Sequence, residues 1–477
     1  MHSLRKELVN PDFEGNRTII LIPSITFDRY ILESYPGPEY YDERFLYFLS
    51  YLRQPNTKLI AVISEGMQAS YLDYVLEHSA KKLKISIDAL KERFVHVSVP
   101  ARKDYSLLEN VLNNELVIDE IKNNISDPKN SYIEYFTTQK EEMDLSKKLG
   151  VPYYGLEEQA LFLHNKSGSR RIFQEAEIRI PRGFDNVFSL KDIQEKVNQL
   201  FEMPNVNECI AKMDDGGTGI GIVRIKREMA ESSYDEFCKS FVLPERRGLE
   251  DFEKHFEKAG GVVEEFLSAK YVTSPSVQFE IKPDGEIVNL ATHDQIMEDT
   301  EYVGASFPAS SGYREELIRK GYIVAEKMRD YGARGIQAID FLATRNDPDE
   351  EWELWGMELN PRKGGTTPPY GWVQFFTDAV YNEARGIFES PCGDVYYQVC
   401  RPDMANAKLK GVDVDILINK LRENNYDFNY ETCDGLFVQL GSSIKPFGKY
   451  EIVAMGHSRE EILEWSKKLE TCVNSIV

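Results

Sequence analysis

The sequence predicts a multi-domain protein in which an open α/β unit is followed by α+β units. Three observations predict it. At 477 residues the chain exceeds what one hydrophobic core normally serves, which argues for about three packed units. Its first part alternates short apolar runs with longer amphipathic segments, the pattern of strands joined by crossover helices. Further on, β-branched and aromatic runs bounded by turn residues follow one another, as in α+β domains.

In the first unit the runs 18–23, 58–64, 94–99 and 132–136 predict strands, and 42–52 and 69–78 place apolar residues at helical spacing. Leu149-Gly150-Val151-Pro152-Tyr153-Tyr154-Gly155 is punctuated by Gly and Pro and sets a boundary, giving a first domain of 1–150. The second domain, 151–388, has predicted strands at 208–213, 261–266, 276–281, 286–292, 337–343 and 352–359. Lys282-Pro283-Asp284-Gly285 predicts a hairpin turn, because Pro presets φ and Asp-Gly tolerates positive φ. A small α+β domain, 389–477, carries predicted strands at 395–399, 435–440 and 450–455 and helices at 414–424 and 459–473.

Composition narrows the class of function. With 79 acidic against 57 basic residues the net charge is −22, so no general field attracts nucleic acid or an anionic membrane. An anionic ligand would need a local basic site. Cys209, Cys238, Cys392, Cys400, Cys433 and Cys472 show no Cys-x-x-Cys spacing, which argues against a zinc knuckle or a disulfide scaffold and fits a reducing cytoplasm. No run is apolar and long enough to span a bilayer, and the N-terminal residues do not form a secretion signal.

Four features of the second domain carry chemistry. Lys166 stands just ahead of a helix and can neutralise phosphate oxygens, although taken alone it reads far more readily as a surface lysine. A predicted strand then delivers Lys212 into a loop containing Gly216, Gly217, Gly219 and Gly221, where backbone N–H groups can approach phosphates without a clashing side chain; a plain hairpin loop is the alternative. Val262-Val263-Glu264-Glu265-Phe266-Leu267 is an apolar strand ending in two carboxylates, a place for a nucleotide base and ribose or for solvated acids. Asp340 and the pair Glu358 and Asn360 lie on strands whose antiparallel pairing would join hard oxygen ligands of the kind Mg²⁺ takes. Glu358 and Asn360 are two apart and so face one side of a strand.

In this order the groups resemble the ATP-grasp superfamily, over about Leu161 to Pro369. The resemblance implies an ATP-grasp fold of two α+β subdomains with ATP between them. Phosphorylation of a carboxylate is then followed by attack of an amine on the acyl-phosphate. It implies that Lys166, Lys212 and the loop glycines hold ATP phosphates, that Glu264, Glu265 and Leu267 line the adenosine, and that Asp340, Glu358 and Asn360 bind Mg²⁺, with Mn²⁺ as an alternative. The stretches 290–295 (ending in Gln295), 302–308 and 360–368 make the architecture most similar to the pheganomycin-type peptide ligases, with a pre-ATP-grasp N-terminal domain and a small C-terminal domain. Gln295, Gly364, Gly365, Thr366 and Thr367 then become candidate substrate contacts.

The chain departs from D-alanine ligases of the superfamily, which place an arginine two residues before the metal aspartate, where Ala338 stands here. Arg362 is the candidate replacement and Arg334 the reserve, since a guanidinium grips an acyl-phosphate bidentately. His293 reads as structural. The expectation is a cytoplasmic carboxylate–amine ligase acting on small molecules, without nucleic acid or membrane, and compatible with a homodimer. A thiol nucleophile, a kinase and a non-catalytic ATP-binding regulator are the competing readings.

Overall fold

The computed structural model describes residues 3–27, 29–33, 37–102, 105–216, 220–243, 248–298, 301–400 and 406–476. Strands β1 (Arg17–Ile22), β2 (Thr57–Ser64), β3 (Phe94–Val99), β4 (Ser131–Tyr135) and β5 (Tyr153–Tyr154) form a parallel sheet in the order β3-β2-β1-β4-β5. Every residue of β1 is buried, as a parallel sheet covered on both faces requires. The four strands expected here lie within one residue of their predicted bounds.

The segment expected to be helical at 42–52 is a 3₁₀ helix, Pro38–Arg53. Ten of its residues, including Asp42, Glu43 and Arg44, are buried, because it packs against β2, helix Thr367–Thr377 and a C-terminal strand. Its buried charges are answered locally. Asp42 accepts from the Ser64 N–H and hydroxyl at 3.1 and 2.6 Å, and Glu43 accepts from the Ser442 N–H at 2.9 Å.

An antiparallel sheet of β6 (Gly183–Val187), β7 (Glu208–Met213), β8 (Ile222–Lys226) and β9 (Gly261–Glu265) runs in the order β6-β9-β7-β8. The remaining strands form one ten-stranded sheet. They are β10 (Tyr271–Ile281), β11 (Ile287–Glu298), β12 (Glu301–Phe307), β13 (Gly335–Arg345), β14 (Glu353–Asn360), β15 (Val380–Asn382), β16 (Ile387–Ser390), β17 (Gly393–Cys400), β18 (Gly435–Leu440) and β19 (Glu451–Gly456). The main path is β14-β13-β10-β11-β12-β17-β16-β15, with β19 pairing β17 and β18. The β10–β11 hairpin closes at the predicted turn, with Gly285 at φ +88°.

Sheet continuity crosses position 389, because β17 pairs with β12 in the register Ala305↔Val399. Cys392 and Cys433 form a disulfide, which corrects the expectation of unbridged cysteines. Their separation of 41 residues gives no local signal; the fold brings the β16–β17 turn beside the start of β18.

The N-terminal sheet is pinned to the loop after β14 by one buried ion pair. Lys363 Nζ donates to Glu134 Oε2 at 2.6 Å and to the Tyr135 carbonyl at 2.8 Å, and its own N–H donates to the Phe136 carbonyl. Both side chains are about 95% buried. Removing one partner of such a pair strands a charge, at a cost of about 3–5 kcal/mol. Lys363→Met should therefore lower the apparent unfolding free energy in urea by roughly that amount. The double variant with Glu134→Gln should lose less than the sum of the two single losses. Strict additivity would show that the pair does not couple.

Burial pushes the carboxyls of Asp42, Glu43 and Glu142 up to about 7 in each case. For Glu142, hydrogen bonds from the Thr26 hydroxyl and the Gln139 N–H oppose the burial without cancelling it. A folded-state pKa above the ordinary 4.5 means that the protonated form contributes stability below that value and that the contribution is lost as pH rises through about 7. The neutral variant Glu142→Gln should gain in Tm relative to the wild type between pH 5 and pH 8. An equal Tm difference at both pH values would show that Glu142 does not titrate in this window.

Candidate active site

The register of β13 with β14 sets Asp340 opposite Glu358 and Ala338 opposite Asn360. Cross-strand partners share a face, so the three predicted oxygen ligands meet. Asn360 Nδ2 donates to Asp340 Oδ2 at 2.8 Å, and Gln295 Nε2 donates to Asp340 Oδ1 at 3.0 Å. Burial pushes the Asp340 carboxyl up to about 6; the Ser276 hydroxyl and the Arg362 charge oppose this, and Glu358 adds to it. Two half-buried carboxylates side by side are costly without a cation, so the pair fits a hard divalent ion.

Lys166 supplies a cation at this point. It opens helix Lys166–Glu175, which Asn165 caps by accepting from the Gly168 N–H at 2.6 Å. Its ammonium donates to Glu358 Oε1 at 3.0 Å and to the Gly216 carbonyl at 2.6 Å, joining the glycine-rich loop to the carboxylates. The loop base is closed by bonds from the Gly216 N–H to the Met213 carbonyl and from the Met213 N–H to the Gly221 carbonyl. Gly217 and Gly219 lie outside the described residues.

Lys212 points at Glu264, with Nζ to Oε2 at 2.7 Å, and Arg170 donates to the other oxygen of that carboxylate. Burial would raise Glu264, but the Lys212 and Arg170 charges hold it below the ordinary carboxylate range. Arg170 was missed by the sequence reading; its signal is the i, i+4 spacing from Lys166, which puts both on one helix face. Asp214 was missed too, and it accepts from the Ser167 N–H and hydroxyl at 2.8 and 3.0 Å.

The paired acids Glu264 and Glu265, expected at the adenosine, are both engaged within the protein. Adjacent strand residues face opposite ways. Glu264 therefore meets Lys212 and Arg170, while Glu265 is gripped by Arg182 through its N–H at 2.8 Å and its guanidinium at 2.9 Å. Leu267 is half-buried two residues beyond the end of β9.

The metal-type cluster opens into a cavity of about 260 Å³. Lys166, Gln295, Asp340, Glu358, Asn360 and Arg362 line one side, together with Gly364, Gly365 and Thr366. The Arg362 guanidinium sits over the rings of Phe27 and Phe136, 5.4 and 5.1 Å from their centres. Ile25, Leu32, Tyr41 and Arg44 of the N-terminal part complete the wall, and none of these was singled out from the sequence.

Two expected residues fall elsewhere. Arg334 lies at the far end of β13, about 20 Å along the strand from Asp340, where it donates to the Arg329 and Ala333 carbonyls. The first belongs to the last turn of helix Arg314–Asp330 and the second follows its end, so Arg334 caps a helix and does not line the cavity. Thr367 is fully buried. Its hydroxyl accepts from the Gly364 N–H at 2.9 Å and donates to Gln278 Oε1 at 2.7 Å, so it shapes the Gly364–Thr366 turn from behind. His293 is buried against Tyr397, with burial lowering its pKa to about 3.

Residues 158–240 and 224–363 match the family described as IQCH-like, ATP-grasp. The chain is 25% identical over 448 residues to the L-propargylglycine–L-glutamate ligase of Streptantibioticus cattleyicolor, covering 93% of this chain and 91% of that protein. It is 23% identical over 398 residues to the IQ motif-containing protein H of Danio rerio, which takes in 72% of this chain but 37% of that protein. Among solved structures, N5-carboxyaminoimidazole synthetase from Staphylococcus aureus complexed with ADP aligns with a TM-score of 0.55 at 12% identity, over 96% of this chain and 97% of that one. The biotin carboxylase–β-γ-ATP complex from Campylobacter jejuni aligns with a TM-score of 0.57 at 12% identity, over 94% and 89%. These two likenesses bear on the fold. Residues 158–363 thus carry an ATP-grasp domain match, and within that segment Lys166, Asp340, Glu358 and Asn360 line one cavity.

Proposed function

We propose that the chain is an ATP-dependent carboxylate–amine ligase that works through an acyl-phosphate and releases ADP and phosphate. The observation that carries this is the meeting, in one cavity, of an oxygen cluster suited to a divalent ion (Asp340, Glu358, Asn360), a buried lysine (Lys166) and the Arg362 guanidinium. Likeness over most of its length to a ligase named for joining two amino acids supports an amide or peptide product.

Bound Mg²⁺, or Mn²⁺ in its place, would neutralise charge on the ATP phosphates. The remaining work falls to the chain. Lys166 would exchange its bond to Glu358 for phosphate oxygen, and Lys212 would do the same from Glu264, which keeps Arg170 as its partner. Gly216 and the loop after it would close over the phosphates. Glu264, Glu265 and Leu267 frame the adenosine end, with the two carboxylates acting mainly as anchors for cations. Arg362 would hold the acyl-phosphate, whose charge spreads over several oxygens in the transition state. Ala338 lies beneath the Gly364 backbone, where a Cβ on Gly364 would come within 3.8 Å of the Ala338 methyl. The guanidinium is thus supplied from Arg362 and not from position 338. Gly364, Gly365 and Thr366, with Gln295, border the substrate.

A division at 150/151 and 388/389 into pre-ATP-grasp, ATP-grasp and C-terminal parts accompanies this reading, and a homodimer is compatible with it. Dependence on ATP argues for the cytoplasm, against which the Cys392–Cys433 disulfide stands. No helix among the described residues is long and apolar enough to cross a membrane.

Hydroxylamine provides a direct test, because it captures an acyl-phosphate as a hydroxamate with release of phosphate. Glu358→Ala should lower ATP-dependent hydroxamate formation by at least about 10²-fold, the scale of losing one transition-state contact, with an unchanged circular dichroism spectrum. Lys212→Ala should lower it similarly, and should also cost stability, since Glu264 would keep one cation instead of two. Near-normal turnover in Glu358→Ala would overturn the metal assignment.

A further inference from the structure

Resting on the ligase reading, we infer that the carboxylate substrate is an amino acid with an apolar side chain, selected by a wall that the N-terminal part contributes. The cavity joins two kinds of lining, ionic groups held only by the part after position 150 apart from Arg44, and an apolar set contributed by the part before it. The ionic lining includes the cluster of Asp340, Glu358, Asn360 and Arg362, which is where a carboxyl group would be activated. The part before position 150 contributes Ile25, Phe27, Leu32, Pro38 and Phe136, with no acidic residue among the described residues it adds to the lining.

Among the described residues that part contributes one charged group to the lining, Arg44, and its charge is already answered. The guanidinium pairs with the buried Glu451 at 3.4 Å, donates to the Tyr41 carbonyl at 3.3 Å and stacks on the Tyr41 ring at 4.6 Å. Arg362 sits where the two kinds of lining meet, between the Phe27 and Phe136 rings, so a group bound by its guanidinium has these aromatic faces beside it. A charged or strongly polar side chain against this wall would lose water without gaining a partner, whereas an apolar one gains by leaving water.

The discriminating experiment uses the full chain with ATP, Mg²⁺ and hydroxylamine, and measures kcat/KM for hydroxamate formation. The panel pairs apolar amino acids (norvaline, leucine, methionine, phenylalanine) with polar ones (serine, glutamine, aspartate, lysine). The best apolar member should exceed every polar one by at least about tenfold, the discrimination expected from one or two buried methylenes. Ile25→Ala should move the optimum towards bulkier apolar side chains, and Ile25→Asp should lower kcat/KM for apolar members while sparing the polar ones. A polar amino acid as the best substrate, or an equal effect of the Ile25 variants on all members, would overturn the inference with the ligase reading intact. Hydroxamate from no member of the panel would instead sink the ligase reading, and the inference with it.

Discussion

The antiparallel pairing of β13 with β14 sets Asp340 against Glu358 and brings Asn360 to the same face. A slip of one residue would turn each of these groups to the other side of the sheet, so the site depends on this register being fixed. Three contacts fix it from outside the sheet. The Leu359 N–H donates to the Ser169 hydroxyl, the Gly356 N–H donates to the Arg179 carbonyl, and Lys363 anchors the end of β14 to the N-terminal sheet. The repulsion between neighbouring carboxylates is moderated by Lys166, whose second bond, to Gly216, carries the same constraint into the glycine-rich loop.

Cations and anions near the cavity are paired: Glu264 with Lys212 and Arg170, Glu265 with Arg182, and Glu358 with Lys166. Each polar group there is costly to bury alone and inexpensive when paired, which makes the arrangement sensitive to an incoming anion. The chamber beside it is assembled from parts far apart in sequence: Phe27 and Phe136 from the N-terminal part enclose Arg362, while Gln295 reaches Asp340 from β11.

Much of this was legible in the sequence, for identifiable reasons. Strands such as β7 and β18 have the predicted bounds because burial on both faces leaves an apolar run with clear turn residues at its ends. Glu358 and Asn360 could be paired with Asp340 because strand alternation and antiparallel order need no tertiary knowledge. Arg334 misled because it stands close to Asp340 in sequence, yet an extended strand turns six residues into the length of a small sheet. Thr367 misled because a hydroxyl in a glycine turn reads as a ligand contact until Gln278 is seen behind it. Ile25, Leu32 and Arg44 gave no signal, since their role arises only where the N-terminal part docks on the ten-stranded sheet. The Cys392–Cys433 pairing is hidden for the same reason.

The largest core cluster runs from Leu8 to Val473 and takes in β1, the 3₁₀ helix Pro38–Arg53, helix Thr367–Thr377 and strands β18 and β19. During synthesis the N-terminal segments emerge first, with one apolar face of their sheet still waiting for partners encoded hundreds of residues later. Ile25, Phe27 and Phe136, which line the cavity, pack in or against that same cluster. The cavity can therefore be completed only once the C-terminal strands that close this cluster have been made.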